Sequence, residues 1–219
     1  MTGTPAPAVP ASLIVIAKAP VARRSKTRLS PPCTPAEAAS LAGAALEDTL
    51  AAVAAVPPGS RRRLLVLEGS PDCWPPAGFE LHRQRSGGLA ERLAGAFAAA
   101  GGPALLVGMD TPQLTAAQLE GALEALERPA VDAVLGRAPD GGYWAIGLRE
   151  PDERVFSGVP MSSRETGARQ RARLEELGLR VAELEPLRDV DTIADAHAVA
   201  AERPDSRFAR TLAALGLDG

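Results

Sequence analysis

Short, nearly continuous apolar runs alternate along this chain with longer segments of helical pattern. The run 12–18 (SLIVIAK) precedes an Ala- and Leu-rich segment, 34–56, and the run 104–108 (ALLVG) precedes a helical pattern that begins at Thr115. Apolar runs without polar alternation are typical of strands buried on both faces of a parallel sheet. The sequence therefore predicts an α/β fold in which helices cover both faces of a mostly parallel sheet.

The late part of the chain departs from this alternation. Segments 131–135 and 143–148 are both predicted strands, and the connection between them is too short for a crossover helix. We therefore expect one late strand to run antiparallel to its neighbours. Residues 1–10, rich in Pro and Ala, are predicted to form a flexible tail, and residues 11–219 a single domain.

Composition excludes several classes of protein. A hydrophobic content of 46% over 219 residues supplies a packed core, and a net charge of −3 argues against a general nucleic-acid-binding protein. Two cysteines, Cys33 and Cys73, predict neither a disulfide framework nor a zinc site. The apolar run 12–17 is too short for a signal peptide or a membrane span, so a cytoplasmic protein without membrane contact is expected.

Positive charge is concentrated directly after the first predicted strand. Between Lys18 and Arg28 the chain has five cations and no acid, and Lys18 and Lys26 are its only lysines. A compact ammonium group is typical of phosphate sites and cannot be copied by the planar arginine fork. The glycine patterns of dinucleotide-binding and Walker loops are absent. Either side chains bind a phosphate chain here, or the segment is a solvated basic loop.

Acidic motifs follow three later strands. Asp110 lies in GMDTP after the strand 104–108, Asp140 begins DGGYW, and Asp191 lies in DVDT near the C-terminus. Ligands of open α/β sheets bind beyond the carboxyl ends of the strands, where these residues fall. Carboxylates in such places are typical ligands of Mg²⁺ or Mn²⁺. The alternatives are a turn cap for Asp110, a hairpin turn for DGGYW and a helix N-cap for DVDT.

Taken together, these motifs resemble a known family. Lys18-Ala-Pro with Lys26-Thr-Arg28-Leu, Gly108-x-Asp110-x-Pro112, Asp140-Gly-Gly-Tyr143 and Asp189-Val-Asp191-Thr192 occur in that order over about residues 13–198. The pattern resembles a bacterial family of glycosyltransferase-like proteins, long described as a domain of unknown function, which includes enzymes assigned to arsenosugar biosynthesis. The resemblance implies a nucleotide-diphospho-sugar transferase fold of the GT-A type, a Rossmann-like α/β/α sandwich.

The same resemblance implies roles for individual residues. Nucleotide phosphates would contact Lys18, Lys26, Arg28 and Arg92. A divalent metal, Mg²⁺ or Mn²⁺, would be held by Asp110 and Asp191. The sugar or acceptor side would include Gly141, Gly142, Tyr143 and Ser162, with Asp140 as candidate general base.

The function implied is a metal-dependent glycosyltransferase that moves a sugar from a nucleotide-diphosphate sugar to a small-molecule acceptor. One alternative is a nucleotidyltransferase that joins a nucleoside triphosphate to a phosphorylated small molecule and releases pyrophosphate. The other is a relative that binds nucleotides without turnover, because Ala22-Arg23 and Met161 stand where the family usually has Pro-Gly and Trp. The expected partners are these small molecules, with no nucleic acid or membrane, and a homodimer remains open.

Overall fold

Seven strands form one sheet in the computed structural model, which describes residues 10–57, 59, 61–70 and 76–217. The order across the sheet is β3-β2-β1-β4-β6-β5-β7. All neighbouring strands are parallel except that β6 runs antiparallel to β4 and β5. The predicted mostly parallel sheet with a late antiparallel strand is confirmed. The strand bounds are β1 Ser12–Lys18, β2 Arg63–Glu68, β3 Glu80–Arg83, β4 Ala104–Gly108, β5 Ala133–Arg137, β6 Tyr143–Leu148 and β7 Val181–Leu184.

Six α-helices accompany the sheet in the described residues. Three of them begin with a capping box in which a threonine and the residue three positions later exchange hydrogen bonds, at Thr34, Thr115 and Thr192. These caps satisfy backbone N–H groups that the first helical turn leaves without partners. The helix bounds are α1 Pro35–Ala55, α2 Leu89–Ala100, α3 Ala116–Glu127, α4 Thr166–Glu176, α5 Ile193–Glu202 and α6 Arg207–Ala214.

Apolar side chains of β1 divide between the two faces of the sheet. Leu13 and Val15 belong to a core that α1 and α3 cover, whereas Ile14 belongs to a core that α2 and α4 cover. Burying each leucine or isoleucine stabilises the fold by roughly 1.5–3 kcal/mol. A third apolar cluster joins α1 to α5 and α6. The layers therefore confirm the predicted α/β/α sandwich.

Helix α1 is the most apolar helix of the described chain. By length and composition this helix could cross a membrane, because its most apolar stretch has a mean hydropathy of 1.3. However, 61% of that stretch is buried against the rest of the protein. Leu46 and Leu50 pack with Leu13 of β1. These contacts are those of a core helix in a two-faced sheet, so the helix is weak evidence for a membrane span.

Local hydrogen bonds set several element bounds. The strand predicted at 131–135 lies at Ala133–Arg137, because the Val131 amide bonds to the Arg128 carbonyl at 3.0 Å in the turn after α3. Helix α4 begins only at Thr166, because the Ser163 amide donates to Thr166 Oγ1 at 3.0 Å. Strand β7 begins at Val181, because the Leu179 amide still bonds to the end of α4.

The six parallel strands point their carboxyl ends toward one edge of the sheet. Segments that follow β1, β4, β5 and β7 therefore meet at this edge, which is where the predicted basic and acidic motifs lie. The predicted tail falls almost wholly on residues 1–9, which are outside the described residues, as is Cys73. Cys33 is a buried free thiol.

Candidate functional site

A cleft of about 1140 Å³ opens at the carboxyl ends of the strands. A smaller pocket of about 250 Å³ adjoins it and shares Lys18, Arg28, Asp110 and Asp191 with it. Lys26 lines the smaller pocket. The structure therefore brings every residue predicted for the site to one place. The main cleft is lined by the other ten of them: Lys18, Arg28, Arg92, Asp110, Asp140, Gly141, Gly142, Tyr143, Ser162 and Asp191.

Lys26 connects the basic loop to two acidic motifs. Its Nζ lies 2.8 Å from Asp110 Oδ1 and donates a hydrogen bond to the backbone carbonyl of Val190. The Val190 amide in turn donates to the backbone carbonyl of Asp110 at 2.9 Å. The lysine side chain is only 8% exposed, and its backbone adopts a left-handed conformation with φ of 49°. Lys26 is thus a buried cation that fixes the loops around it.

A second group of cations surrounds Glu68, the last residue of β2. Lys18 Nζ lies 3.7 Å and Arg24 Nη2 4.0 Å from the Glu68 carboxylate, and Arg92 contacts the same group. Arg92 also donates to the Gly87 carbonyl at 3.0 Å, which holds it at the start of α2. Glu68 was not predicted from the sequence, although its position at a strand end was the available signal. Glu68 thus holds three cations together near the carboxyl end of β1.

Three carboxylates form an acidic cluster opposite these cations. Asp140, Asp189 and Asp191 each place an oxygen within 4.8 Å of the others. Arg28 Nη1 lies 2.8 Å from Asp191, so the basic loop touches the cluster directly. Burial and the neighbouring charges of Asp140 and Asp191 raise the pKa of Asp189 to about 6. The cluster is a concentration of negative charge with oxygen ligands suited to a divalent cation.

Asp110 and Asp191, the two predicted metal ligands, both line the cleft but have different neighbours. Asp191 lies in the acidic cluster, whereas Asp110 faces Lys26 and is not a member of the cluster. Asp189 takes the third place in the cluster and was missed, because the DVDT spacing does not reveal that both of its aspartates face the cleft. Thr192, and not Asp191, caps helix α5.

The DGGYW motif is a hairpin turn and also part of the cleft wall. The Gly142 amide donates to Asp140 Oδ1 at 2.7 Å, and the amide of Gly141 donates to the Ala138 carbonyl at 3.0 Å. Gly141 has φ of 96°, and a Cβ at this position would lie 2.0 Å from the Arg164 carbonyl oxygen. The turn therefore requires glycine, because the segment before α4 passes directly against it.

Ser162 and Tyr143 form the neighbouring part of the cleft wall. Ser162 has a left-handed backbone, with φ of 57°, in the segment that leads to Arg164. Tyr143 donates its hydroxyl to Gln170 of α4 at 3.4 Å, and burial raises the pKa of Tyr143. The phenol is therefore a neutral, fixed part of the wall and not a base.

A family model described as an uncharacterized protein conserved in bacteria (DUF2064) matches residues 41–163, more than half of the chain. The chain belongs to this family. The matched DUF2064 segment contains Arg92, Asp110 and the DGGYW turn. No curated protein matches the chain.

Several solved structures share the fold of this DUF2064 protein. A protein of Desulfovibrio desulfuricans G20 assigned to the nucleotide-diphospho-sugar transferases has a TM-score of 0.83 and 24% identity, over 94% of this chain and 95% of its own. A CMP:2-keto-3-deoxy-manno-octonic acid synthetase complexed with CTP has a TM-score of 0.54 and 14% identity, over 88% and 98%. The 2-C-methyl-D-erythritol 4-phosphate cytidylyltransferase of Thermus thermophilus has a TM-score of 0.52 and 18% identity, over 89% and 100%. These likenesses establish the nucleotide-diphospho-sugar transferase fold.

Proposed function

We propose that this protein is a metal-dependent glycosyltransferase that uses a nucleotide-diphosphate sugar and a small-molecule acceptor. The observation that carries the proposal is the juxtaposition, in one cleft, of a cationic group around Lys18 and Arg92 and an acidic cluster around Asp191. A diphosphate needs cations along its length, and a metal that bridges it needs carboxylates on the other side.

The acidic cluster fits a divalent cation such as Mg²⁺ or Mn²⁺. Asp140, Asp189 and Asp191 supply hard oxygen ligands within 4.8 Å of one another. Their mutual repulsion contributes to the raised pKa of Asp189, and a bound cation would relieve that repulsion. When bound, the metal supplies charge neutralisation for the leaving nucleoside diphosphate. Asp140, the candidate general base in the sequence interpretation, belongs to this metal site in our proposal.

The cations of the basic loop and Arg92 of α2 have separate roles in this proposal. Lys18 and Arg92 would move from Glu68 to the phosphate oxygens and stabilise negative charge as the donor bond breaks. Arg28 lines the cleft and pairs with Asp191, so it would bind the phosphate nearest to the acidic cluster. Lys26 would act chiefly by holding Asp110 and Val190 in place.

The acceptor would bind on the side of the DGGYW turn. Gly141, Gly142, Tyr143 and Ser162 line this part of the cleft, with the exposed Arg164 beside them. The glycines hold the turn against the segment before α4, and the neutral phenol oxygen of Tyr143 can still accept a hydrogen bond without introducing a charge.

A nucleotidyltransferase is the second candidate, and the fold likeness to the two cytidylyl-transferring enzymes favours it. Both reactions need a metal-bridged phosphate chain, so the same cations and carboxylates would serve either. Glycosyl transfer breaks the carbon–oxygen bond between sugar and diphosphate and releases a nucleoside diphosphate. Nucleotidyl transfer breaks a phosphorus–oxygen bond of the triphosphate and releases pyrophosphate.

Product analysis tests the proposal. The protein is incubated with Mn²⁺ and a panel of nucleotide sugars with alcohol and sugar acceptors, and separately with nucleoside triphosphates and sugar phosphates. Release of nucleoside diphosphate supports glycosyl transfer, and release of pyrophosphate supports nucleotidyl transfer instead. If nucleotides bind but neither product forms in either panel, the remaining explanation is a protein that binds nucleotides without turnover. Asp191→Asn should abolish turnover, and the exposed Asp205→Asn provides a matched control.

A further inference from the structure

Gln84 is held in one orientation at the edge of the cleft. It follows β3 directly, and its backbone amide donates to the Leu67 carbonyl at 3.0 Å. Its side-chain Nε2 donates to the carbonyls of Ala17 at 2.6 Å and Val66 at 3.2 Å. Both of its amide hydrogens are therefore used by carbonyl oxygens, and a flipped amide would place an oxygen against two oxygens.

The remaining polar atom of this side chain is a free hydrogen-bond acceptor. Gln84 lines the cleft, and no residue in the described part of the chain donates to its Oε1. The oxygen is also not among the fully buried atoms that lack a partner, so it remains accessible. A ligand that reaches this end of the cleft therefore meets an acceptor whose position is fixed and must offer an N–H or O–H donor to it.

The order of strands gives this acceptor a defined place along a ligand. Gln84 stands at β3, the cations Lys18 and Arg92 are near the end of β1, and the acidic cluster follows β5 and β7. Along this edge of the sheet the polar groups therefore follow in the order Gln84 amide, then cations, then the carboxylates of the acidic cluster. A nucleotide-diphosphate sugar has the same linear order of base, phosphates and sugar. With the phosphates on the cations and the metal on the carboxylates, the base lies toward Gln84.

Apolar surface next to Gln84 suits the flat face of a base. Leu89, at the start of α2, is 42% exposed and lines the cleft, and the buried Leu93 lies one turn further on. Binding sites commonly combine such apolar walls with a few fixed polar groups that set specificity.

We propose that Gln84 is a specificity-determining residue whose Oε1 accepts a hydrogen bond from a nucleobase N–H. This inference rests on the proposed nucleotide site. Loss of one such hydrogen bond should weaken binding by up to about tenfold.

Calorimetry with Mg²⁺ present separates this inference from the proposed function. Wild type and Gln84→Met are titrated with UDP, CDP, ADP, GDP and inorganic pyrophosphate, and thermal unfolding verifies that the variant folds. We expect the variant to bind its preferred nucleoside diphosphate up to about tenfold more weakly and to bind pyrophosphate as wild type does. If neither protein binds any of these ligands, the proposed phosphate site itself fails. If both bind them all with equal affinity, only the role of Gln84 fails.

Methylation of the donor completes a thermodynamic cycle. The preferred diphosphate is compared with its counterpart whose base N–H is methylated, such as 3-methyl-UDP for UDP. Methylation should weaken binding to wild type and cost much less in Gln84→Met, because the two changes remove the same hydrogen bond. An equal cost in both proteins would overturn the proposal. If the variant does not fold, equal binding of the two ligands to wild type would overturn it as well, and weaker binding of the methylated ligand would support it.

Discussion

The ammonium of Lys26 lies 2.8 Å from the carboxylate of Asp110, and the lysine is almost completely enclosed. The pair joins the basic loop after β1 to the segment after β4, and the bond from Lys26 to the Val190 carbonyl extends it to the segment after β7. Three loops that could each move separately are therefore tied to one cation.

Removal of this cation should destabilise the protein. Lys26→Met leaves Asp110 and the Val190 carbonyl without their partner, and we expect a loss of about 1–3 kcal/mol in the free energy of unfolding. Lys18→Met is the matched control, because Lys18 is 61% exposed and its pair with Glu68 should contribute less than about 1 kcal/mol. Urea unfolding measures both. Equal stability of the two variants would show that the Lys26 pair has no structural role.

Mn²⁺ or Mg²⁺ should stabilise the wild-type protein through the acidic cluster. At a concentration one hundred times the dissociation constant the gain is about 2.7 kcal/mol, seen as a rise in Tm. Asp189→Asn and Asp191→Asn should each abolish the rise, whereas Asp205→Asn, an exposed residue before α6, should keep it. A full rise in both cluster variants would place the metal elsewhere, with Asp110 as the next residue to change.

Stability without metal should depend on pH through Asp189. Its pKa is about 6 in the folded protein and close to 3.8 in the unfolded chain, so between these values the folded state binds the extra proton. The free energy of unfolding should therefore fall as pH rises from about 4 to about 6 and change little above that through this group. Urea midpoints in chelator-treated buffers measure this slope, which Asp189→Asn should reduce. An unchanged slope in the variant would assign it to other carboxyl groups.

Gly141→Ala should damage the cleft wall more than a glycine change in open space. The new Cβ would lie 2.0 Å from the Arg164 carbonyl oxygen, which backbone movement must relieve. Gly158→Ala is the control, since it also has positive φ but meets nothing within 4 Å. Both variants incur left-handed strain of roughly 1–2 kcal/mol, and Gly141→Ala should lose at least about 2 kcal/mol more through the clash. Equal losses in thermal unfolding would mean that the 161–164 segment yields easily.

Much of the fold was predictable because it depends on patterns that the sequence displays directly. The apolar run 12–18 is typical of a strand buried on both faces, and the short connection before Tyr143 favours an antiparallel strand, as the structure shows. Since the carboxyl ends of parallel strands share an edge, the predicted cations and carboxylates had to converge there. The capping boxes at Thr34 and Thr115 were equally local signals.

Side-chain pairings within the site were not predictable, because they depend on loop paths. The left-handed turn at Lys26 directs its ammonium to Asp110, and nothing in the residue types around it specifies that conformation. That Asp189 joins Asp191 in the acidic cluster depends on the path of the segment after β7. Glu68 was missed because a single acid at a strand end carries no motif.

Helix α5 begins immediately after the acidic cluster, and its buried face rests on α6 and α1. Phe208 and Leu212 of α6 belong to the same apolar cluster as Val199 of α5, so their packing supports the helix that follows Asp191. We therefore expect truncation of the last helix to weaken metal binding at the proposed site before the sheet itself unfolds.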